Sequence, residues 1–175
     1  MSRKTLITVL CITTVLVLIV FICLNNTISQ SESYKYGLVN TTNDKKIKET
    51  VDKFNNIELI PSIPRNELFE LYKKIDVLVV PSLDDPMPVV ATENFMFKNI
   101  CLCSNKTGTS YYIKDGINGF VFDIGDEKQL ENKIKYIVDN KDKMKKIKDN
   151  GRKVFEKYFE MNVFEKHVIS IIEKN

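Results

Sequence analysis

An uninterrupted apolar run lies near the start of the chain. Residues 1–4 include Arg3 and Lys4, and residues 5–24 contain no charged side chain. A run of roughly 20 apolar residues matches the hydrocarbon core of a bilayer. It is longer than the ~7–15-residue core of a cleaved signal peptide, and no Ala-x-Ala site follows it. We therefore predict a retained transmembrane signal anchor over residues 5–24, with a cleaved signal peptide as the alternative.

The charges that flank this run predict its orientation. Arg3, Lys4 and the amino terminus precede it, whereas the polar stretch 25–34 contains no Lys or Arg. Positive charge is retained on the cytoplasmic side of a membrane. We expect a single-pass membrane protein with a cytoplasmic tail over residues 1–4, a linker over 25–34 and a folded domain over 35–175.

After the linker, strand-like and helix-like hydrophobic patterns alternate. Asn66 is a candidate helix cap, Pro88 is a candidate helix start, and Asp126 with Gln129 fits a capping box. The pattern predicts a Rossmann-like α/β fold, a parallel sheet with helices on both faces. The predicted strands cover residues 36–39, 57–60, 76–80, 100–103 and 119–122, and the predicted helices cover 44–54, 66–72, 88–97, 126–138, 141–159 and 162–173.

Composition and charge exclude several classes of protein. Hydrophobic residues make up 43% and charged residues 28% of the 175 residues, as in globular domains. The net charge of +3 comes from interspersed Lys, Asp and Glu, which argues against a nucleic-acid partner. Cys101 and Cys103 are two apart on a predicted strand. We expect them to be buried apolar side chains. A metal or redox pair is the alternative, although the usual spacing is absent.

Ligands of such sheets bind beyond the carboxyl ends of the strands, here at loops 61–65, 81–87 and 104–109. After the second loop, the helix that begins at Pro88 offers unpaired N–H groups to a phosphate. Glu93 on that helix could accept hydrogen bonds from a ribose diol. Asp85 and Glu93 could instead be a solvated pair or the two acids of a glycosidase. Residues 105–109 could line a phosphate or sugar pocket, and residues 115–119 predict a tight turn.

In order, these segments resemble the C-terminal domain of glycosyltransferase family 4, whose members are retaining enzymes of the GT-B fold. The matching segments are 56–60 (NIELI), 67–72 (ELFELY), 76–82 (DVLVVPS), 85–93 (DPMPVVATE) and 115–121 (DGINGFV), with Gly108 between the last two. The resemblance runs from about Lys35 to the C-terminus. It implies a donor-binding half-domain whose substrate is a nucleotide-diphosphate sugar, with neither a cofactor nor a bound metal.

The resemblance also implies roles for individual residues. Asp85 and Glu93 occupy the two positions of the Glu-x7-Glu signature of the family, with Asp in place of the first Glu. By resemblance, Glu93 binds the ribose, and Asp85 is the catalytic candidate that holds the donor sugar with its diphosphate. The other implied substrate-binding residues are Ser62 and Ile63 near the base, Pro86, Met87, Pro88 and Val89 at the diphosphate, and Gly108 and Thr109.

Two parts of a GT-B enzyme have no counterpart in these residues. They are the acceptor-binding N-terminal domain and the Arg/Lys pair that the family usually brings to the diphosphate. We therefore expect transfer to an acceptor glycan or lipid to need a separate N-terminal half or another protein partner. The alternatives are a non-catalytic, membrane-anchored nucleotide-sugar-binding module or a decayed enzyme fragment. A receiver-like α/β domain is disfavoured, because no acidic cluster follows the first strand.

Overall fold

Six strands form one sheet in the computed structural model, which describes residues 19–24, 34–40, 49, 52, 57–61 and 64–173. The strands are β1 (Ile19–Leu24), β2 (Tyr34–Asn40), β3 (Ile57–Pro61), β4 (Val77–Val80), β5 (Ile100–Ser104) and β6 (Phe120–Phe122). The helices of the described part are α1 (Arg65–Tyr72), α2 (Val89–Met96), α3 (Glu127–Asp139), α4 (Lys141–Tyr158) and α5 (Met161–Ile172), together with a 3-10 helix at Gly108–Tyr112.

The sheet is mixed rather than purely parallel. Its strand order is β3-β2-β1-β4-β5-β6. Strand β2 is parallel to β3, and β4, β5 and β6 are parallel to one another. Strand β1 is antiparallel to both of its neighbours, β2 and β4. The predicted α/β fold with parallel strands is therefore confirmed for five strands, and β1 is the exception.

Strand β1 corrects part of the membrane prediction. Ile19–Leu24 was predicted as the end of a transmembrane helix, but it pairs with β2 along its whole length and with β4 at three positions. A β-branched apolar run fits a buried strand as well as a helix, and periodicity does not separate the two. Residues 5–18 lie outside the described residues. Among the helices of the described part, none has the length and apolar character needed to cross a bilayer.

The domain boundaries shift for the same reason. Tyr34, the predicted end of the linker, is the first residue of β2, and β1 belongs to the same sheet as the domain predicted to begin at residue 35. The rest of the predicted linker, residues 25–33, lies outside the described residues. So does the helix predicted over 44–54, apart from residues 49 and 52.

The core lies on both faces of the central strands β4 and β5, whose residues are all buried. On one face, Cys101 and Cys103 join a cluster with Tyr72 of α1, Phe95 of α2 and Val154 of α4. This placement confirms that the two cysteines are buried core side chains.

Helix α3 covers the opposite face of the sheet. Phe120 of β6 lies opposite Leu102 of β5, and therefore on the face away from Cys101 and Cys103. Its ring contacts Tyr136 of α3, with 6.0 Å between the ring centroids. Helices on both faces, as predicted, are thus confirmed.

Most helices begin at or within one residue of the position that the sequence predicts. Helix α2 begins at Val89 directly after Pro88, and the Asp126 side chain caps α3 by accepting the Gln129 N–H at 2.8 Å. The predicted cap Asn66 is wrong, because α1 begins one residue earlier and follows Pro64. The fixed φ of proline, here −59°, sets up the first turn without a side-chain cap.

Candidate functional site

Three loops that were predicted to bind a ligand follow strands that point the same way. Strands β3, β4 and β5 all end at one edge of the sheet, because β2 and β4 both run opposite to β1. Ser62 and Ile63, in the loop after β3, lie outside the described residues; Pro64 ends that loop, and Arg65 is the first residue of α1. The loops after β4 and β5 are described in full.

Asp85 joins these last two loops through its backbone. Its N–H donates to Lys106 O at 3.2 Å, and its carbonyl accepts the Gly108 N–H at 2.9 Å. One carboxylate oxygen, Oδ1, accepts the Met87 N–H at 3.1 Å and so closes an Asx turn over Pro86. The carboxylate of Asp85 therefore shapes the segment that leads into α2, in addition to any contact with a ligand.

Gly108 and Thr109 pack the second loop against the first. A Cβ at Gly108 would lie 1.7 Å from Pro86 O, so only glycine fits there. Thr109 is fully buried, and its hydroxyl lies 3.7 Å from the Met87 sulfur. These two residues hold the backbone of Pro86 and Met87 in place.

The first turn of α2 is suited to an anion. In the part of the chain that the structure describes, no side chain caps this turn, and the turn itself contains no acidic residue. Its N–H groups and the helix dipole leave partial positive charge there. Pro88 is buried, whereas Val89 is 60% exposed, so the turn reaches the surface.

Glu93 lies on the same helix and is held by two side chains of α1. Arg65 Nη2 donates to Oε1 at 2.7 Å, and the Tyr72 hydroxyl lies 3.3 Å from Oε2. That hydroxyl is also 3.3 Å from Val90 O in the first turn of α2. Burial, and then the adjacent Glu93 charge, raise the pKa of Tyr72 well above its ordinary value. The tyrosine is thus a permanent donor beside a buried carboxylate.

The structure brings together, at the ends of β4 and β5, the predicted site residues Asp85, Pro86, Met87, Gly108 and Thr109, and it places Pro88, Val89 and Glu93 on the helix that follows. It adds Arg65 and Tyr72, which sequence reasoning did not assign to the site. Within the described residues, no group of three or more His, Cys, Asp or Glu could hold a metal ion.

A family model described as glycosyl transferases group 1 matches residues 36–154 of this chain. The chain belongs to this family. It is 28% identical over 116 residues to an uncharacterized glycosyltransferase of Methanocaldococcus jannaschii, over 65% of this chain and 33% of that protein. It is also 28% identical over 121 residues to the Escherichia coli UDP-Gal:alpha-D-GlcNAc-diphosphoundecaprenol alpha-1,3-galactosyltransferase, over 69% of this chain and 31% of that enzyme.

The fold is also similar to that of a solved structure. The structure of Anabaena HepE in complex with UDP superposes with a TM-score of 0.68 at 16% identity, over 75% of this chain and 36% of that chain. The chain thus spans about a third of the length of the curated relatives that it matches. The resemblance to the C-terminal domain of the glycosyltransferase family and to the GT-B fold is confirmed.

Proposed function

We propose that this chain is the donor-binding half of a retaining glycosyltransferase and binds a nucleotide-diphosphate sugar without a bound metal. The observation that carries the proposal is the buried Glu93 carboxylate, held one turn beyond the open N-terminus of α2. A diphosphate would bind at that N-terminus, and the ribose of the same nucleotide would bind at Glu93 on the same helix. Asp85 then lies at the sugar end, in the segment that leads into the helix.

The relatives suggest which nucleotide to test first. HepE has been solved with UDP, and the Escherichia coli relative takes a UDP-linked galactose. We therefore propose a uridine diphosphate sugar as donor. Loss of the diphosphate builds negative charge on the leaving group, which positioned positive charge and N–H groups stabilise. In this chain the first turn of α2 is the structural feature suited to that role.

Transfer itself is proposed to require a second half. The chain spans about a third of its curated relatives, so the acceptor, a glycan or a lipid, would be bound by another domain or protein. The same observation favours one alternative, a nucleotide-sugar-binding module without catalysis. Incubation of the chain alone with UDP-galactose and UDP-glucose, followed by measurement of free UDP, tests the requirement for a second half. Turnover by the chain alone would contradict the requirement for a second half.

The binding proposal is tested by calorimetric titration of the full chain with UDP, GDP, UDP-glucose and UDP-galactose. Glu93→Gln keeps the side-chain volume but removes the charge. Because hydrogen bonds to charged groups contribute about 1.5–3 kcal/mol, we expect about a 10-fold to 100-fold loss of affinity. Glu70→Gln is the matched control, since Glu70 is an exposed acid on α1 that pairs with Lys73. Equal affinity in wild type and Glu93→Gln would refute the ribose assignment.

Attachment to a membrane, with the N-terminus cytoplasmic, remains a proposal. Since Ile19–Leu24 belongs to the sheet, the anchor would have to lie within residues 5–18. That segment is shorter than the roughly 20 residues that span a bilayer as a helix. Carbonate extraction of membranes that contain the full chain tests the proposal. Release of the whole chain into the soluble fraction would contradict an integral anchor.

A further inference from the structure

Arg65 and Glu93 form an ion pair across 28 residues of sequence. Arg65 is the first residue of α1, and its Nη2 lies 2.7 Å from Glu93 Oε1 on α2. The side chain of Arg65 is 72% exposed, whereas that of Glu93 is 10% exposed. The exposed Arg65 guanidinium thus contacts the nearly buried carboxylate of Glu93, which belongs to the proposed site.

The guanidinium is held in this position by an aromatic side chain as well. Its central carbon lies 5.3 Å above the ring of Phe69, one turn further along α1. Phe69 is itself packed against Phe97, with 5.4 Å between the ring centroids. An exposed ion pair usually contributes little, because two long side chains must be ordered. Here the ring and the buried partner already restrict the arginine.

The two oxygens of Glu93 have different partners, and both partners belong to α1. Arg65 donates to Oε1, and the buried Tyr72 hydroxyl lies beside Oε2. A carboxylate can accept about four hydrogen bonds, so these two contacts leave acceptor sites for a ligand. Helix α1 directly follows the loop after β3, which the family resemblance assigns to the nucleotide base. Arg65 therefore follows the base segment closely in sequence and contacts the acid assigned to the ribose.

We propose that Arg65 is a positioning residue that fixes the Glu93 carboxylate in the orientation that receives the ribose hydroxyls. The inference rests on the proposed function. Without the guanidinium, the buried carboxylate keeps only the tyrosine as a described donor and is free to turn towards solvent. Loss of the guanidinium should weaken the binding of a ligand with both ribose hydroxyls more than the binding of a ligand with one.

The experiment compares UDP with 2′-deoxy-UDP on the full chain by calorimetry. Wild type is expected to prefer UDP by about tenfold, the value of one charge-assisted hydrogen bond. Arg65→Gln should weaken UDP binding about fivefold to tenfold and weaken the binding of 2′-deoxy-UDP, which keeps only the 3′-hydroxyl, by a clearly smaller factor. Arg65→Lys should recover part of the preference, since it keeps the charge but loses the planar fork. Lys73→Gln is the control, because Lys73 pairs with the exposed Glu70 on the same helix.

The ratio of the two affinities identifies the role of Arg65. General destabilisation of the domain would weaken both ligands equally and leave the ratio unchanged. An unchanged ratio in Arg65→Gln, or tighter binding of UDP, overturns the inference while the proposed function stands. A wild-type chain that binds neither nucleotide overturns the proposed function and this inference with it.

Discussion

Replacement of Gly108 by alanine tests whether the two loops after β4 and β5 form one structural unit. The added Cβ would lie 1.7 Å from Pro86 O and 2.7 Å from Pro86 C. Both are backbone atoms, so no side-chain rotation can relieve the overlap. One of the two loops has to move by more than 1 Å, since ordinary contacts begin near 3.4 Å.

The expected loss of stability follows from the contacts that this movement disrupts. Overpacking of this kind costs about 1–3 kcal/mol. The Gly108 N–H bond to Asp85 O and the Asp85 N–H bond to Lys106 O cross the same interface, and each contributes about 1 kcal/mol. Alanine also lowers the conformational entropy of the unfolded chain, which offsets about 0.4–1 kcal/mol of the lost stability. We expect the free energy of unfolding to fall by about 2–4.5 kcal/mol.

The assay combines urea unfolding with titration of UDP on the same preparation. The displaced backbone is that of Pro86, which leads into the proposed diphosphate site, so UDP affinity should fall at least about tenfold at temperatures where the variant is folded. Gly125→Ala is the control. Gly125 has a φ of +83° with open space around it, so alanine there brings only backbone strain of about 1–2 kcal/mol. The Gly125→Ala variant should bind UDP with the same affinity as wild type.

Two results would refute this reasoning. If Gly108→Ala unfolds at the same urea concentration as wild type, the loops are not packed as described. If it loses stability but keeps its affinity for UDP, the segment before α2 does not contribute to the donor site.

Two further predictions concern stability. Lys98 has a left-handed backbone with φ of 60° just after α2, a position where glycine is favoured. Its ion pair with Asp149 at 3.6 Å is exposed and weak. Lys98→Gly should therefore raise the free energy of unfolding by about 0.5–1 kcal/mol, and a lower urea midpoint would contradict this. Because the folded-state pKa of Tyr72 is raised, the folded chain keeps a proton that the unfolded chain loses above about pH 10. Stability should be unaffected by this group below that pH and fall by up to about 1.4 kcal/mol per pH unit above it. Tyr72→Phe should show a shallower alkaline decline, and identical slopes would refute the assignment.

The predicted elements that the structure confirms are those with a local signal. Strands β4 and β5 are short β-branched or apolar runs that end at turn residues, as strands buried on both faces are. Pro88 and Asp126 start their helices for stereochemical reasons that act within a single turn. The loop predicted over residues 81–87 is present as well, and a local Asx turn at Asp85, which was not predicted, closes part of it.

The elements that were missed depend on distant parts of the chain. Nothing in the sequence of Ile19–Leu24 distinguishes a membrane helix from a strand, since its backbone groups can be satisfied by a helix or by two neighbouring strands. The Arg65–Glu93 pair depends on where α1 crosses the edge of the sheet. The only sequence signal for it was that Arg65 ends a loop already assigned to the site.

Among the described residues, the contacts that shape the proposed donor site are made within residues 64–173. Backbone bonds join Asp85 to the loop after β5, and side-chain bonds join Glu93 to α1. Because none of these contacts needs a second domain, we infer that donor affinity is a property of this chain alone. Acceptor binding, by contrast, is expected to depend on residues that lie outside the matched third of the relatives. Addition of a separate N-terminal half should therefore raise the transfer rate and leave the dissociation constant for UDP nearly unchanged. A large gain in UDP affinity on that addition would mean that the diphosphate contacts are shared between the two halves.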